Sequence, residues 1–298
     1  MTRIGRHPRS AVSGAEQSRA SIPLIVVAAV GAAFLLVVAV NRWGVPSDEH
    51  AYWLAAQRLV AGQPLYDPTA TAITPYAYWY PPVLAQVLVP VSIILPSAAF
   101  TAAWTVMMLV CLWWLAGRRV LVALAMVAFP PVAIEFWFRN IHLVLAVMVV
   151  LAVRRGWLFS AAASIKLAPG LGIPWLFAAG RRRDAAVAVG AGAAILAVSV
   201  ALAPDAWRDW ISIVMARGPN DVASFLPIPY GVRAVAGLVL ALVAGRARAP
   251  WSGVGLVVAV TIALPTLWMT GLSLLIAIVP IWRLSRGPTA AGSGEGPA

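Results

Sequence analysis

Lys166 is the only lysine in the 298-residue chain, and it lies among Ala, Ile and Leu. A cation in such a window costs about 2.5–3.5 kcal/mol on insertion scales and is functional by default, with a partner implied. An anionic lipid head group in an outward-facing cavity would supply that partner; snorkelling of the long stem to the head groups is the other reading. A second polar group opens a helix: Pro46, then Ser47 as N-cap, Asp48 and Glu49 in the first turn, and Gly62 as the stop. Asp48 and Tyr52 share a face of that helix. The helix dipole favours ionised carboxylates there, so either an acid serves as a general base or both acids simply complement the helix end. The third group runs Glu135, Phe136, Trp137, Phe138, Arg139, Asn140, Ile141, His142. Arg139 could make paired hydrogen bonds to a phosphate oxyanion, whereas a lone histidine such as His142 is more often packed or interfacial. There is no second His or Cys at metal spacing, so neither a metal nor another cofactor is expected. Tyr76, Tyr78, Trp79, Tyr80, Pro81 and Pro82 form an aromatic, proline-rich stretch that suits an interfacial belt or the faces of sugar rings equally well.

The elements that must position these groups are apolar. Hydrophobic residues make up 62% of the chain and charged residues 11%, against about 25% charged in soluble domains; the mean hydropathy is +0.88. This describes an all-α polytopic membrane protein. The net charge of +12 comes from arginines clustered between apolar windows, the pattern of cytoplasmic loops rather than of a nucleic-acid-binding surface. The single cysteine, Cys111, lies inside an apolar window and excludes a disulfide framework or thiolate metal site. Arg3, Arg6, Arg9 and Arg19 precede an apolar run from Ile22 to Val40, close to the roughly 20 residues of a spanning helix, which predicts an uncleaved first transmembrane helix.

Further windows run from Ala98 to Ala116, Val120 to Ile134, Ile141 to Val153, Trp157 to Ala179, Ala185 to Ala203, Pro229 to Ala244, Trp251 to Leu264 and Leu267 to Trp282. The proline-rich segment Pro81 to Leu95 would, if it crossed, put Arg118 and Arg119 outside. It is therefore expected as an exterior juxtamembrane helix. Arg154 and Arg155 precede the Trp157–Ala179 window and Arg181, Arg182 and Arg183 follow it, so both clusters prefer one side. A hairpin of two short helices turning near Lys166, broken by Pro169, Gly170 and Gly172, satisfies them. The result is about ten transmembrane helices with both termini cytoplasmic. The predicted layout is a basic tail over 1–20, a transmembrane domain over 21–286 with exterior loops at 41–97 and 204–228, and a disordered cytoplasmic tail over 287–298. Fifteen arginines then fall inside, and seven of the ten acids fall outside: Asp48, Glu49, Asp67, Glu135, Asp205, Asp209 and Asp221. In the second exterior loop, Asp205 to Arg217 is amphipathic, with Trp207, Trp210, Ile211 and Val214 on the face expected to lie in the interface or to border an acceptor groove. His50, Asp67 and Asp221 receive no role.

Three blocks, within roughly Asp48 to Asp184, resemble glycosyltransferase family 87 of the GT-C superfamily, polytopic enzymes that use polyprenyl-phosphate-mannose outside the cell. The first is Asp48 and Tyr52 with Ala55, Ala56, Gly62, Leu65 and Tyr66, similar to the family's D-x-x-x-Y, paired Ala and G-x-x-L-Y. The second is Tyr80, Pro81 and Pro82, similar to its Y-P-P. The third is Lys166 to Pro169 with the arginine run at 181–183, similar to its K-x-x-P and trailing basic segment. Where the family shows G-Q-x-N, this chain has Arg139, Asn140, Ile141 and His142. Asn220 and Ser224 are weak matches to a later N-Q-S element.

The resemblance implies a GT-C-like fold and a plasma-membrane enzyme with an extracytoplasmic site, in which Asp48 is the catalytic base. The expected reaction is an inverting hexosyl transfer, with mannose as the sugar. A polyprenyl-phosphate sugar lies with its tail between helices and its phosphate on Lys166 and Arg139. Glu49, Tyr52, Tyr80, Asn140 and His142 are expected to contact the sugar or a glycolipid or glycan acceptor. The partners are thus two lipid-borne or glycan substrates and the bilayer, without nucleic acid. A transporter or flippase, or a noncatalytic lipid-binding homologue, would use the same cations; the sequence carries no internal repeat of the kind many transporters have.

Overall fold

The computed structural model describes residues 13–41, 47–71, 74–216, 224 and 226–285, with side chains from residue 22 onward except 38–41. Among the described residues there are fourteen α-helices, two 3-10 segments and no strand. The helices are α1 (Ser13–Asn41), α2 (Asp48–Val60), α3 (Pro82–Ile94), α4 (Ser97–Leu115), α5 (Val120–Val127), α6 (Pro130–Phe138), α7 (His142–Ala152), α8 (Leu158–Ile165), α9 (Gly172–Ala178), α10 (Arg182–Leu202), α11 (Pro204–Ala216), α12 (Tyr230–Arg246), α13 (Trp251–Ile262) and α14 (Ile278–Ser285). By length and composition, α4 and α10 can each cross a membrane, and α5 with α6 makes a third candidate span bent by 84°. Shorter apolar helical stretches of 10–17 residues run over Ile22–Val37 within α1, Pro82–Ile94, His142–Ala152, Ala168–Ala178, Trp251–Ile262 and Met269–Ser285.

The bend corrects one expectation. The window from Val120 to Ile134 reads as one helix, yet the chain turns at Phe129, which is extended, and restarts with Pro130 and Pro131 at the head of α6. Proline lacks the N–H that would continue the ladder but suits the first turn of a new helix, so two consecutive prolines end one helix and begin another. The Leu267–Trp282 window also differs. It folds as a 3-10 segment over Met269–Ala277 followed by the short α14.

The hairpin about Lys166 is present. A side chain at Gly156 would meet Leu176, one at Gly172 would meet the Phe159 ring at 2.1 Å, and one at Gly170 would touch Ala163. Contacts 156–176, 159–172 and 163–170 converge on Lys166, as two antiparallel helices require. Arg181 donates to the carbonyls of Val153 and Arg154, which closes the hairpin's base and places the two arginine clusters together. Gly172→Ala should therefore destabilise the fold by about 1–3 kcal/mol, the usual cost of overpacking, because Phe159 is fully buried and cannot yield freely. Thermal unfolding in detergent measures this, with Gly190→Ala, which meets nothing within 4 Å, as the neutral control.

The other basic turns gather at the same end. Arg283 caps Ala116 at the end of α4, Trp251 and Trp282 stack edge to face, Trp175 donates to Ser252, and Gly245 packs on Ala178 and Trp175. At the opposite ends of these helices lie Ser97, His142, Ser199, Tyr230 and Ile262, and there the polar site is built. Residues 1–12, 42–46, 217–223 and 286–298 lie outside the described residues, and with them the expectations for Pro46, Arg217, Asn220, Asp221, the C-terminal tail and the first part of the basic tail, whose residues 13–20 begin α1.

Candidate active site

The site begins with α2. Ser47 occupies the N-cap position with extended backbone, although its side chain makes no capping bond. At the other end, Gly62 (φ 64°) follows the last turn, Gln63 N–H reaches the Arg58 carbonyl and Gly62 N–H the Leu59 carbonyl, the paired bonds of a Schellman stop. Between these ends the helix buries Glu49, Tyr52, Ala55 and Ala56. Trp53 and Gln57 donate to the Leu95 and Ser92 carbonyls, tying α2 along α3. This docking holds Asp48 over the mouth of a cavity of about 480 Å³.

Asp48 lines that cavity together with Tyr52, Tyr80, Asn140, His142 and Lys166. Four of these form one directed chain of hydrogen bonds. Tyr52 donates to the Tyr80 hydroxyl at 2.9 Å, Tyr80 donates to Asn140 Oδ1 at 3.0 Å, and Asn140 Nδ2 donates to Asp48 Oδ2 at 2.5 Å. The Ile141 N–H also donates to Asn140 Oδ1, which fixes the amide's orientation with its NH2 toward the carboxylate. Burial and the nearby Asp48 charge push both phenols well above the usual tyrosine range, so they remain donors. Every group in the chain thus points a proton toward Asp48, an arrangement that suits an ionised carboxylate.

The second half of the site faces the first across Tyr80. The Lys166 ammonium lies 5.3 Å from the centroid of the Tyr80 ring and 2.6 Å from His142 Nε2. On its other side the histidine meets Glu135: Nδ1 lies 3.1 Å from Oε2, and the His142 backbone N–H donates to Oε1 at 2.6 Å. Glu135 and His142 are both fully buried. Tyr80 is therefore common to both halves, its hydroxyl in the Asp48 chain and its ring beneath Lys166.

Arg139 is placed differently from the expectation. It does not join Lys166; it ends α6 in the left-handed conformation (φ 50°) and pairs with Glu49 at 2.9 Å. Thr101 also donates to Glu49, and Trp104 donates to the Arg139 carbonyl. Neither Arg139 nor Glu49 lines the cavity. The physical reason is that Glu49 is almost wholly buried and demands a counter-charge, and the left-handed turn directs the guanidinium back toward α2. The same turn swings Asn140 onto Asp48. The α11 face is also divided: Trp210 donates to the Trp79 carbonyl and, with Val214, lines the cavity, while Ile211 is exposed. Ser224 does not line it.

The aromatic stretch marked in the sequence contributes Tyr76, in the left-handed region (φ 58°), and Trp79 to the lining, while the wall of Thr266, Trp268 and Thr270 carried no signal in the sequence. Arg233 supports that wall, donating to the carbonyls of Ile262, Leu264 and Pro265 from a buried position on α12.

Apolar helices around a cavity lined by both a carboxylate and an ammonium define a membrane protein with an enzyme-like site. Residues 78–225 match the family model of glycosyltransferase family 87. The match covers 148 of the 298 residues and indicates glycosyltransferase activity. The match contains Tyr80, Glu135, Asn140, His142 and Lys166; Asp48 and Tyr52 lie outside it and reach the site through the docking of α2. No curated protein and no solved structure matches the chain. Because Tyr80 joins the two halves, Tyr80→Phe should slow transfer roughly 5- to 150-fold, the effect of losing the two hydrogen bonds of its hydroxyl, from Tyr52 and to Asn140. Donor KM should change little, since the ring under Lys166 remains; steady-state kcat and KM separate the two.

Proposed function

We propose that the chain moves a sugar, mannose in the simplest reading, from a polyprenyl-phosphate donor to an extracytoplasmic glycolipid or glycan acceptor with inversion. The observation that carries this is the cavity that Asp48 and Lys166 line together. Lys166 binds the donor phosphate and stabilises it as it leaves, the task a cation performs at a developing oxyanion. Asp48 takes the proton of an acceptor hydroxyl, which attacks the anomeric carbon from the face opposite the phosphate. Tyr52, Tyr80 and Asn140 hold Asp48 and border the sugar, while the aromatic rim of Tyr76, Trp79, Trp210 and Trp268 suits the faces of sugar rings. His142 lies at the cavity wall, and the Arg139–Glu49 pair sets the turn that carries Asn140.

For placement, the arginine-rich turns that gather at one end of the helices support a cytoplasmic position for that end, with the cavity at the outer leaflet of the plasma membrane. In this reading the shorter helices, the hairpin included, complete about ten membrane-embedded helices and both termini are cytoplasmic. The test is reconstitution in nanodiscs with labelled polyprenyl-phosphate-mannose and a panel of glycolipid acceptors. Transfer with inverted anomeric configuration is the expected result. Movement of the lipid between leaflets without transfer would instead identify a flippase, and binding without either would identify a noncatalytic homologue.

A further inference from the structure

The proposed reaction uses Lys166 but leaves Glu135 without a task, although it is one of the most deeply buried groups in the protein. A carboxylate in that position needs a partner, and the geometry supplies one in sequence. An ammonium has only protons to give, so Lys166 Nζ donates to His142 Nε2, 2.6 Å away. The imidazole then carries its proton on Nδ1 and presents it to Glu135 Oε2 at 3.1 Å. The backbone N–H of His142 satisfies the other carboxylate oxygen. We infer that Glu135 is the counter-ion of Lys166, acting through the neutral ring of His142, and that both are positioning residues for the anion-binding ammonium.

The indirect pairing matters. A carboxylate in direct contact would occupy the ammonium and repel an incoming phosphate. Set back behind an imidazole, it still compensates the charge while leaving the remaining Lys166 N–H groups free to turn to the cavity. The other titratable groups lining the cavity with Lys166 and His142 are Asp48 and Tyr52 from α2, Tyr76 and Tyr80 before α3 and Tyr230 from α12. Of these only Asp48 carries a negative charge near neutrality, and Asn140 already donates to it. Glu135 is thus the carboxylate linked to Lys166 through a ring in contact with both. The role in phosphate binding rests on the proposed function; the charge relation itself does not.

Because Lys166 is the only lysine, its charge can be read chemically without any sugar donor. The detergent-solubilised full chain is acetylated with an amine-reactive ester across a pH series, and the rate at Lys166 is followed by peptide mass spectrometry. Only the free amine reacts. In Glu135→Gln the compensating charge is gone, the ammonium gives up its proton more readily, and the rate–pH curve moves to lower pH. A displacement of one unit raises the free-amine fraction, and the rate below the midpoint, about tenfold. His142→Gln keeps an acceptor for Lys166 but cuts the link to Glu135 and should move the curve in the same direction; it also serves if Glu135→Gln does not fold. Loosened packing alone would raise the plateau at high pH without moving the midpoint. Midpoints that coincide with the native one would overturn the inference, even in a chain that transfers sugar; a displaced midpoint supports it, even in a chain that does not.

Discussion

Asp48→Asn lowers the turnover of sugar transfer by roughly 10²–10⁴-fold while leaving donor binding near the native value. That factor is the usual contribution of a general base, and it corresponds to about 3–5 kcal/mol of barrier. Asparagine is the informative replacement because it keeps the shape and an oxygen that can still accept from Asn140 Nδ2, so the chain from Tyr52 through Tyr80 and Asn140 can persist. What it removes is the charge that accepts the acceptor's proton. Since Lys166 is held by His142 and not by Asp48, the donor should dock as before. Single-turnover rates with pre-bound donor, alongside equilibrium binding, make the measurement. Native turnover by the variant would refute the assignment of Asp48 as base.

Lys166→Ala has the second large effect, in binding. A charge-assisted hydrogen bond to phosphate contributes about 1.5–3 kcal/mol, so donor affinity should fall by roughly 10- to 150-fold. The variant also leaves Glu135 without its cation, and some loss of thermal stability is expected with it. Lys166→Arg separates charge from shape: the guanidinium keeps the charge but cannot reproduce a single short contact to His142 Nε2, so recovery should be partial. Acetylation of the native protein at its one lysine should inactivate it, and polyprenyl phosphate should protect. Full affinity in Lys166→Ala would move the phosphate site elsewhere.

These experiments bear on residues that the sequence already singled out, and the reasons are physical. A charge in an apolar window is conspicuous because insertion opposes it, and the helix-start pattern before Asp48 is local chemistry. The hairpin was legible for a similar reason: two arginine clusters 27 residues apart, one hydrogen bond from each other in the folded chain, both resist crossing. The likeness to glycosyltransferase family 87 was legible in short motifs, of which Asp48, Tyr52, Tyr80, Pro81 and Lys166 line the cavity. The division of the Val120–Ile134 window was written in Pro130 and Pro131, but an apolar window conceals it, because hydropathy does not register a missing N–H.

Other features depended on contacts that no local pattern encodes. Glu135 and His142 are seven residues apart, a separation that would not bring them together on a helix with 3.6 residues per turn. They meet because the left-handed turn at Arg139 brings the first residue of α7 beside Glu135 of α6. Arg139 has the ideal chemistry for phosphate, yet it is held by Glu49 from another helix, and only the docking of α2 shows that the buried acid has the stronger claim. The sequence by itself determined the membrane class, the likeness to the family, the clustering of arginines and the prominence of Asp48 and Lys166 as polar groups, since composition, proline placement and the expense of apolar charges are properties of short segments. The tertiary structure alone decided which cation faces the cavity, which carboxylate stands behind it and which ring joins the two halves, because hydrogen bonds and counter-ions are chosen by proximity in space among helices far apart along the chain.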